Sequence, residues 1–239
     1  KRFSSMLNSD VQIYTPYGAT EGMPICSIGS HQLLQDSVQE KSANGGGICI
    51  GKPIYNIDLR IIRISDEPIE HWSDDLEIGV HEIGEIVVKG PNVTHAYYNR
   101  DEATNLAKIR DIESFWHRMG DLGYKDENGD IWFCGRKAHR VKTAGKELYS
   151  VQCESIFNHH PQVLRTALVG VKNQAVLCVE VDKEVIKPNL NQIESDLLEL
   201  AKGHIIDLNR ILFHKSFPVD TRHNAKIYRE KLAVWAAKQ

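Results

Sequence analysis

Four short clusters carry side chains suited to phosphate and nucleotide chemistry. Tyr14 to Glu21 (YTPYGATE) sets a hydroxyl, Thr20, beside a carboxylate, Glu21, on a Gly-Ala turn. Such a pair can hold a phosphate oxygen and its Mg²⁺ counterion together; a polar loop with a capping threonine accounts for it equally well. Met119-Gly120-Asp121 ends in a carboxylate able to accept both hydroxyls of a ribose. Standing alone, Asp121 is first of all a turn residue. Gly135-Arg136 offers a planar, permanently charged fork for phosphate or ribose oxygens, against the plain alternative of a surface arginine. Lys226 follows the polar stretch Asp220 to Asn224 and precedes an amphipathic segment, where a solvated first-turn lysine is the simple reading.

Other patterns carry less. Gly46-Gly47-Ile48-Cys49-Ile50-Gly51-Lys52 satisfies GxxxxGK, but Pro53 follows and has no hydroxyl for Mg²⁺. The interior of the match is apolar and strand-like, so a turn leading into the next strand is the better reading. The eleven histidines show no HExxH or comparable spacing, and His159-His160-Pro161 reads as a helix end. The five cysteines (Cys26, Cys49, Cys134, Cys153, Cys178) lie far apart with no CxxC pair, which argues against a disulfide framework or zinc cluster and for reduced, cytoplasmic thiols.

The elements that must position these clusters fall into two styles. Ile57 to Ile64 (IDLRIIRI) and Ile83 to Val88 (IGEIVV) are β-branched, partly alternating and read as neighbouring strands. Asn128-Gly129, between Gly123-Tyr124 and Ile131-Trp132-Phe133, supplies the positive φ angles of a tight hairpin. Beyond Gly135 the pattern changes. Ser150 is placed to cap a helix running to about His159, and Val163 to Val171 and Ala175 to Val181 read as two strands. Leu190, Ile193, Leu197 and Leu200 share one helical face, with Lys202 in the last turn and Gly203 as the stop. Tyr228, Leu232 and Trp235 repeat that spacing. The fold class is therefore α+β, with a strand-rich region over 1–135 and a compact α+β region over 136–239.

With 239 residues, 41% hydrophobic, the chain can bury a core. A net charge of −3 provides no electrostatic footprint for nucleic acid or an anionic membrane, and no apolar run approaches the roughly 20 residues of a membrane span. A small-molecule substrate fits this balance.

The joint order changes the weight of the clusters. YGATE, then MGDLGY, then GRKAHRVKTAGKEL, then HNAKIYR resembles the adenylate-forming superfamily of acyl-CoA synthetases, peptide-synthetase adenylation domains and luciferases. GKPIYNIDLRI and EIGEIVVKGPNVTHAYYN are similar to the family's barrel segments, so the resemblance covers essentially the whole chain. At finer grain, IFNHHPQVLRTALVGV and HNAKIYREKLAVWAAK resemble the β-lactone synthetases of bacterial olefin biosynthesis, relatives of fatty-acyl-CoA ligases.

The resemblance implies ATP and Mg²⁺ as cofactors, with CoA possible, and a carboxylic acid as substrate. It implies that Thr20 contacts the α-phosphate, Glu21 holds Mg²⁺, and Tyr17 and Gly18 pack against adenine. It further implies that Asp121 binds the ribose, Arg136 reaches ribose or phosphate, and Lys226 bridges the attacking carboxylate and the α-phosphate. A carboxylate attacking a phosphoryl centre brings two anions together, and a fixed ammonium offsets their repulsion. In fold it implies a β-barrel-like remainder of a large adenylation domain, followed by a small mobile C-terminal domain that rotates between half-reactions about Ala138 and presents the hairpin whose tip is Gly145.

Departures are visible too. The hinge residue, usually Asp or Lys, is Ala138, and the usual Gly before the lysine is Ala225. The family's Ser/Thr/Gly-rich phosphate loop lies far upstream of YGATE, so the partner expected here is a missing N-terminal half, and the chain alone is expected to be inactive. Three functions stay open: activation of a β-hydroxy fatty acid and its closure to a β-lactone, a fatty-acyl-CoA ligase, and a truncated, non-catalytic binding or regulatory module.

Overall fold

The computed structural model describes Met6, Asn8 and residues 11–220 and 226–239. Two compact units emerge. One comprises the described residues up to Lys41 with Gly47–Lys137; the other comprises Ser42–Gly46 with the described residues from Ala138 onward.

In chain order the first unit contains β1 (Tyr14–Ala19), β2 (Gly22–Gly29), short helices α1 (Ser30–Leu33) and α2 (Asp36–Lys41), β3 (Ile48–Pro53), β4 (Asp58–Ile62) and β5 (Gly84–Lys89). Then follow α3 (Asp101–Ala107), β6 (Lys108–Asp111), β7 (Ser114–Lys125) and β8 (Ile131–Arg136). The strands form one antiparallel sheet in the order β1-β2-β3-β8-β7-β5-β4, with β6 also paired to β7. β1 and β4 are its edges. The barrel-like remainder expected from the sequence is thus an open sheet, with no closed barrel among the described residues. Ile25, Leu59, Ile61, Ile86, Val88 and Ile131 interdigitate in its main core, where burial of each aliphatic side chain contributes roughly 1.5–3 kcal/mol.

The two apolar runs read as neighbours are β4 and β5, paired from Asp58↔Lys89 to Ile62↔Glu85. Ile48 to Lys52 of the GxxxxGK stretch lie in β3, an interior strand between β2 and β8. Gly51 there has φ 76°, and a Cβ on it would lie 2.2 Å from the Ser27 carbonyl oxygen. That glycine serves close approach of two strands. β7 and β8 form the expected hairpin, but its connection is 126–130 and only Gly129 takes positive φ. The Asp126 carboxylate closes it by accepting from the Asn128 and Asp130 amides, both at 3.0 Å, and from Trp132 Nε1 at 2.8 Å. A side-chain-closed turn replaces the two-residue hairpin turn.

The second unit contains the small hairpin β9 (Val141–Lys142) and β10 (Glu147–Leu148), α4 (Ser150–Phe157), β11 (Val163–Val171), β12 (Gln174–Val181), α5 (Leu190–Gly203), β13 (Arg210–Phe213) and α6 (Arg229–Ala236). β11 and β12 are antiparallel, and β13 adds parallel to β12. Leu168, Leu177 and Val179 pack with Ile193 and Leu197 of α5, while Ala167, Val169, Val176 and Cys178 pack with Leu232 and Ala236 of α6. Both faces of β11 and β12 are covered, which is why these strands are almost continuously apolar. Ser150 does not cap α4: Tyr149 occupies the N-cap position without making a side-chain capping bond, and the buried Ser150 Oγ has no hydrogen-bond partner among the described residues. Asn189 caps α5, accepting from the Gln192 amide. No helix among the described residues is long and apolar enough to cross a membrane.

Candidate active site

The β1–β2 hairpin places Thr20 and Glu21 at its turn. Gly18 sits where the register slips between Tyr17 and Ala19, and a Cβ there would lie 2.6 Å from the Gly22 carbonyl oxygen. Any side chain would force the hairpin open. Glu21 is held at both ends. Its carbonyl accepts from the Thr94 amide at 2.7 Å, and its Oε1 accepts from the Tyr97 hydroxyl at 2.7 Å. That hydroxyl holds the Glu21 carboxyl below its ordinary range, so the group is ionised at neutral pH. Burial, reinforced by the carboxylate, pushes Tyr97 up to about 12.

Thr20, Glu21, Tyr97, His117 and Arg136 line a polar cavity of about 490 Å³. His117 is buried, and its Nδ1 lies 3.2 Å from the Ala107 carbonyl, which can only accept; Nδ1 therefore carries the proton. Burial lowers its pKa to about 4, leaving a neutral imidazole. Beside it in the β6–β7 register, Lys108 bonds the Thr94 carbonyl, and burial pulls its ammonium down to about 8.

Across β7 and β8, Asp121 and Arg136 are register partners. Asp121 is 3% exposed. Its Oδ2 accepts from the Tyr17 hydroxyl at 2.5 Å, while Oδ1 lies 3.1 Å from Arg136 Nε without the alignment of a hydrogen bond. Burial pushes the Asp121 carboxyl up, and the Tyr17 bond and the Arg136 charge oppose it. The result is a buried carboxylate with Oδ2 fixed by a hydrogen bond and Oδ1 held by its ion pair with Arg136.

A second buried network was not visible in the sequence. Glu85 receives Arg118 through two bonds of 2.9 and 2.7 Å, Lys137 Nζ at 3.2 Å and the Ser65 amide at 2.7 Å. Lys137 also donates to the Ser65 carbonyl at 2.7 Å. The last residue of the first unit is thereby anchored, one position before the exposed Ala138. Tyr97 was likewise missed, although it lies in the quoted THAYYN segment.

The remaining candidates belong to the second unit. Gly145 lies in the 143–146 turn of the β9–β10 hairpin, exposed, with nothing within 4 Å of a would-be Cβ. Lys226 is exposed, and its carbonyl accepts from the Asp220 amide at 3.0 Å; Ala225 lies outside the described residues. Thr20, Glu21 and Arg136 therefore share one cavity, Tyr17, Asp121 and Arg136 form one cluster, and Ala138, Gly145 and Lys226 stand in the other unit.

No family model matches the chain. Over 249 aligned residues it is 47% identical to the olefin β-lactone synthetase of Xanthomonas campestris pv. campestris, covering 100% of this chain and 44% of that protein. The corresponding protein of Stenotrophomonas maltophilia is 43% identical, with 98% and 44% covered. The 2-succinylbenzoate–CoA ligase of Bacillus mycoides is 32% identical over 69% of this chain and 30% of its own length. The chain belongs to the adenylate-forming superfamily. It corresponds to the C-terminal part of these enzymes and spans 44% of the two curated β-lactone synthetases. Among solved structures, the amide bond synthetase McbA of Marinactinospora thermotolerans superposes with a TM-score of 0.73 at 21% identity, over 93% of this chain and 42% of that one. The ATP-bound MatB of Rhodopseudomonas palustris gives 0.72 at 24% identity, over 94% and 41%. At such identities these two likenesses establish the adenylate-forming fold alone.

Among the described residues no group of three His, Cys, Asp or Glu side chains is arranged to hold a metal by itself. Glu21 nevertheless suits Mg²⁺, which is commonly bound by one or two carboxylates completed by water and phosphate oxygens.

Proposed function

We propose that this chain is the C-terminal part of an ATP-dependent ligase that activates a fatty acid as its acyl-adenylate, with a β-hydroxy acid as substrate closing to a β-lactone. The observation that carries the reading is the 47% identity, along the whole chain, to an olefin β-lactone synthetase. The geometry supports phosphate binding in particular: Thr20, Glu21 and Arg136 line one polar cavity. In this reading Tyr17 and Gly18 pack against adenine, Arg136 reaches ribose or phosphate, and Thr20 donates to the α-phosphate. Bound Mg²⁺ would be held by Glu21 and would neutralise phosphate charge. Tyr97 keeps that carboxylate ionised and oriented.

Lys226 brings an ammonium to the substrate carboxylate as one of its oxygens attacks the α-phosphorus and the bond to pyrophosphate breaks. In the second step the β-hydroxyl oxygen attacks the acyl carbon, its proton passes to solvent, and the bond to AMP breaks. The hydroxyl is tethered to its target, so no second substrate need be captured. The reading assigns Ala138 to the hinge and the Gly145 hairpin to the second half-reaction, 1–135 to the large domain and 136–239 to the mobile one. It also assigns the protein to the cytoplasm, which supplies ATP and where five buried, unpaired thiols persist.

The test uses the protein at the full length of its curated relatives, joined to the N-terminal half this reading requires. Supplied with a long-chain β-hydroxy acid and ATP, it should yield AMP and a β-lactone without CoA. The 32% identity to CoA ligases favours one rival, an acyl-CoA ligase. CoA-dependent AMP release with a thioester product would install that rival in place of the lactone.

A further inference from the structure

Lys226 is exposed, yet its carbonyl and the two residues after it are tied to Pro218, Val219 and Asp220. Val219 and Ile227 form an antiparallel bridge, the Asp220 amide donates to the Lys226 carbonyl at 3.0 Å, and the Tyr228 amide donates to the Pro218 carbonyl at 2.9 Å. In such extended pairing successive side chains alternate. Ile227 packs into the core with Phe217 and Leu232, and its neighbour Lys226 is turned outward.

Two side-chain ties reinforce this frame. The Tyr228 hydroxyl donates to Oδ2 of the buried Asp220 at 3.2 Å, closing the chain across the lysine. Arg229, three residues beyond Lys226, reaches Glu154 on α4 with Nε to Oε1 at 3.2 Å and Nη2 to Oε2 at 2.5 Å. Glu154 is itself fixed, because Oε1 also accepts from the Leu168 amide of β11 at 2.9 Å. Burial pushes the Glu154 carboxyl up, and the Arg229 charge opposes that shift, so each partner depends on the other. The ties join the segment carrying Lys226 to α4 and β11.

We infer that Tyr228 with Asp220, and Arg229 with Glu154, are positioning residues that hold the backbone of Lys226 so that its ammonium can be presented to the reacting carboxylate; this rests on the role proposed for Lys226. A long, solvated ammonium gains catalytic value only when its base is fixed, because orientation is settled before the reaction. Neither tie touches substrate, and both act through the lysine.

The experiment is a double-mutant cycle in the full-length protein, following adenylation by pyrophosphate release and ring closure from supplied acyl-adenylate. Tyr228→Phe should lower the adenylation kcat by about 3- to 10-fold, the scale of one hydrogen bond. Arg229→Lys, which keeps the charge but loses the paired geometry, should lower it by about 10- to 100-fold. Ring closure and the KM for ATP should stay unchanged. In a Lys226→Ala background neither substitution should slow adenylation further, since nothing remains to position. Equal losses in both backgrounds, or an unchanged kcat for Tyr228→Phe in a folded protein, would overturn the inference. Should Arg229→Lys fail to fold, Tyr228→Phe alone carries the cycle. If Lys226→Ala leaves adenylation intact, the role proposed for the lysine fails and the positioning role falls with it.

Discussion

The Asp121 cluster and the Lys226 segment solve opposite problems. Asp121 lies in the middle of a sheet, with its tyrosine on β1 and its arginine on β8, so three strands position one carboxylate. Its desolvation is offset on folding by the Tyr17 bond and the Arg136 charge. Lys226 keeps its side chain exposed while its carbonyl and the two residues after it are held against Pro218 to Asp220. In the proposed function the difference separates binding from chemistry. A group assigned to hold a nucleotide gains from burial, whereas one assigned to meet developing charge needs a charged head on a rigid base.

The comparison breaks most decisively at the lysine. In the full-length protein Lys226→Ala should depress adenylation by roughly 10² to 10⁴ while sparing conversion of supplied acyl-adenylate. Pyrophosphate release and ring closure measured side by side provide the check, and equal losses in both would erase the contrast.

Within the first unit, Arg118→Met should destabilise the chain itself by about 3–5 kcal/mol, because it leaves Glu85 buried with Lys137 as its remaining cation. Urea unfolding of the 239-residue chain measures this. A loss below 1 kcal/mol would mean that water reaches Glu85.

The next expectation concerns ATP. Asp121→Ala should weaken its binding by about 10- to 100-fold, the scale of hydrogen bonds to a charged acceptor, and leave fatty-acid binding nearly unchanged. Separate titrations of the full-length protein decide it, and unaltered ATP affinity would return Asp121 to a purely structural role.

The smallest effect is a pH slope. The pKa of His117 falls from an ordinary 6.5 to about 4 in the folded chain, so between those values the unfolded state binds more protons. Its contribution is full above about 6.5, declines as pH falls through that window, and levels off below about 4, amounting to no more than about 3 kcal/mol. Unfolding of the chain at a series of pH values should show the slope, and His117→Phe should flatten it. An undiminished slope would assign the acid sensitivity to other groups.

Much was legible in the sequence because it is local. β11 and β12 were readable from continuous apolar runs, α5 from the spacing of Ile193 and Leu197, and the β7–β8 hairpin from Asn128-Gly129. Where local reading went astray, burial or a neighbouring side chain had decided the geometry. Ser150 looked like a cap but lies buried inside α4, and the turn before β8 is organised by Asp126 rather than by two residues of positive φ.

Sequence alone therefore determined the α+β class, the order of the clusters and the identity of the residues that could do chemistry, since these depend on residue type and short-range periodicity. Tertiary structure alone decided who meets whom. Tyr17 reaches Asp121 across 104 residues, Tyr97 reaches Glu21 across 76, Arg118 reaches Glu85 across 33, and Arg229 reaches Glu154 across 75. Each pairing depends on strand order, register or the packing of a helix on a sheet. A carboxylate's charge state and a lysine's placement follow from those neighbours, because burial and hydrogen bonding are properties of the folded surroundings rather than of the residue itself.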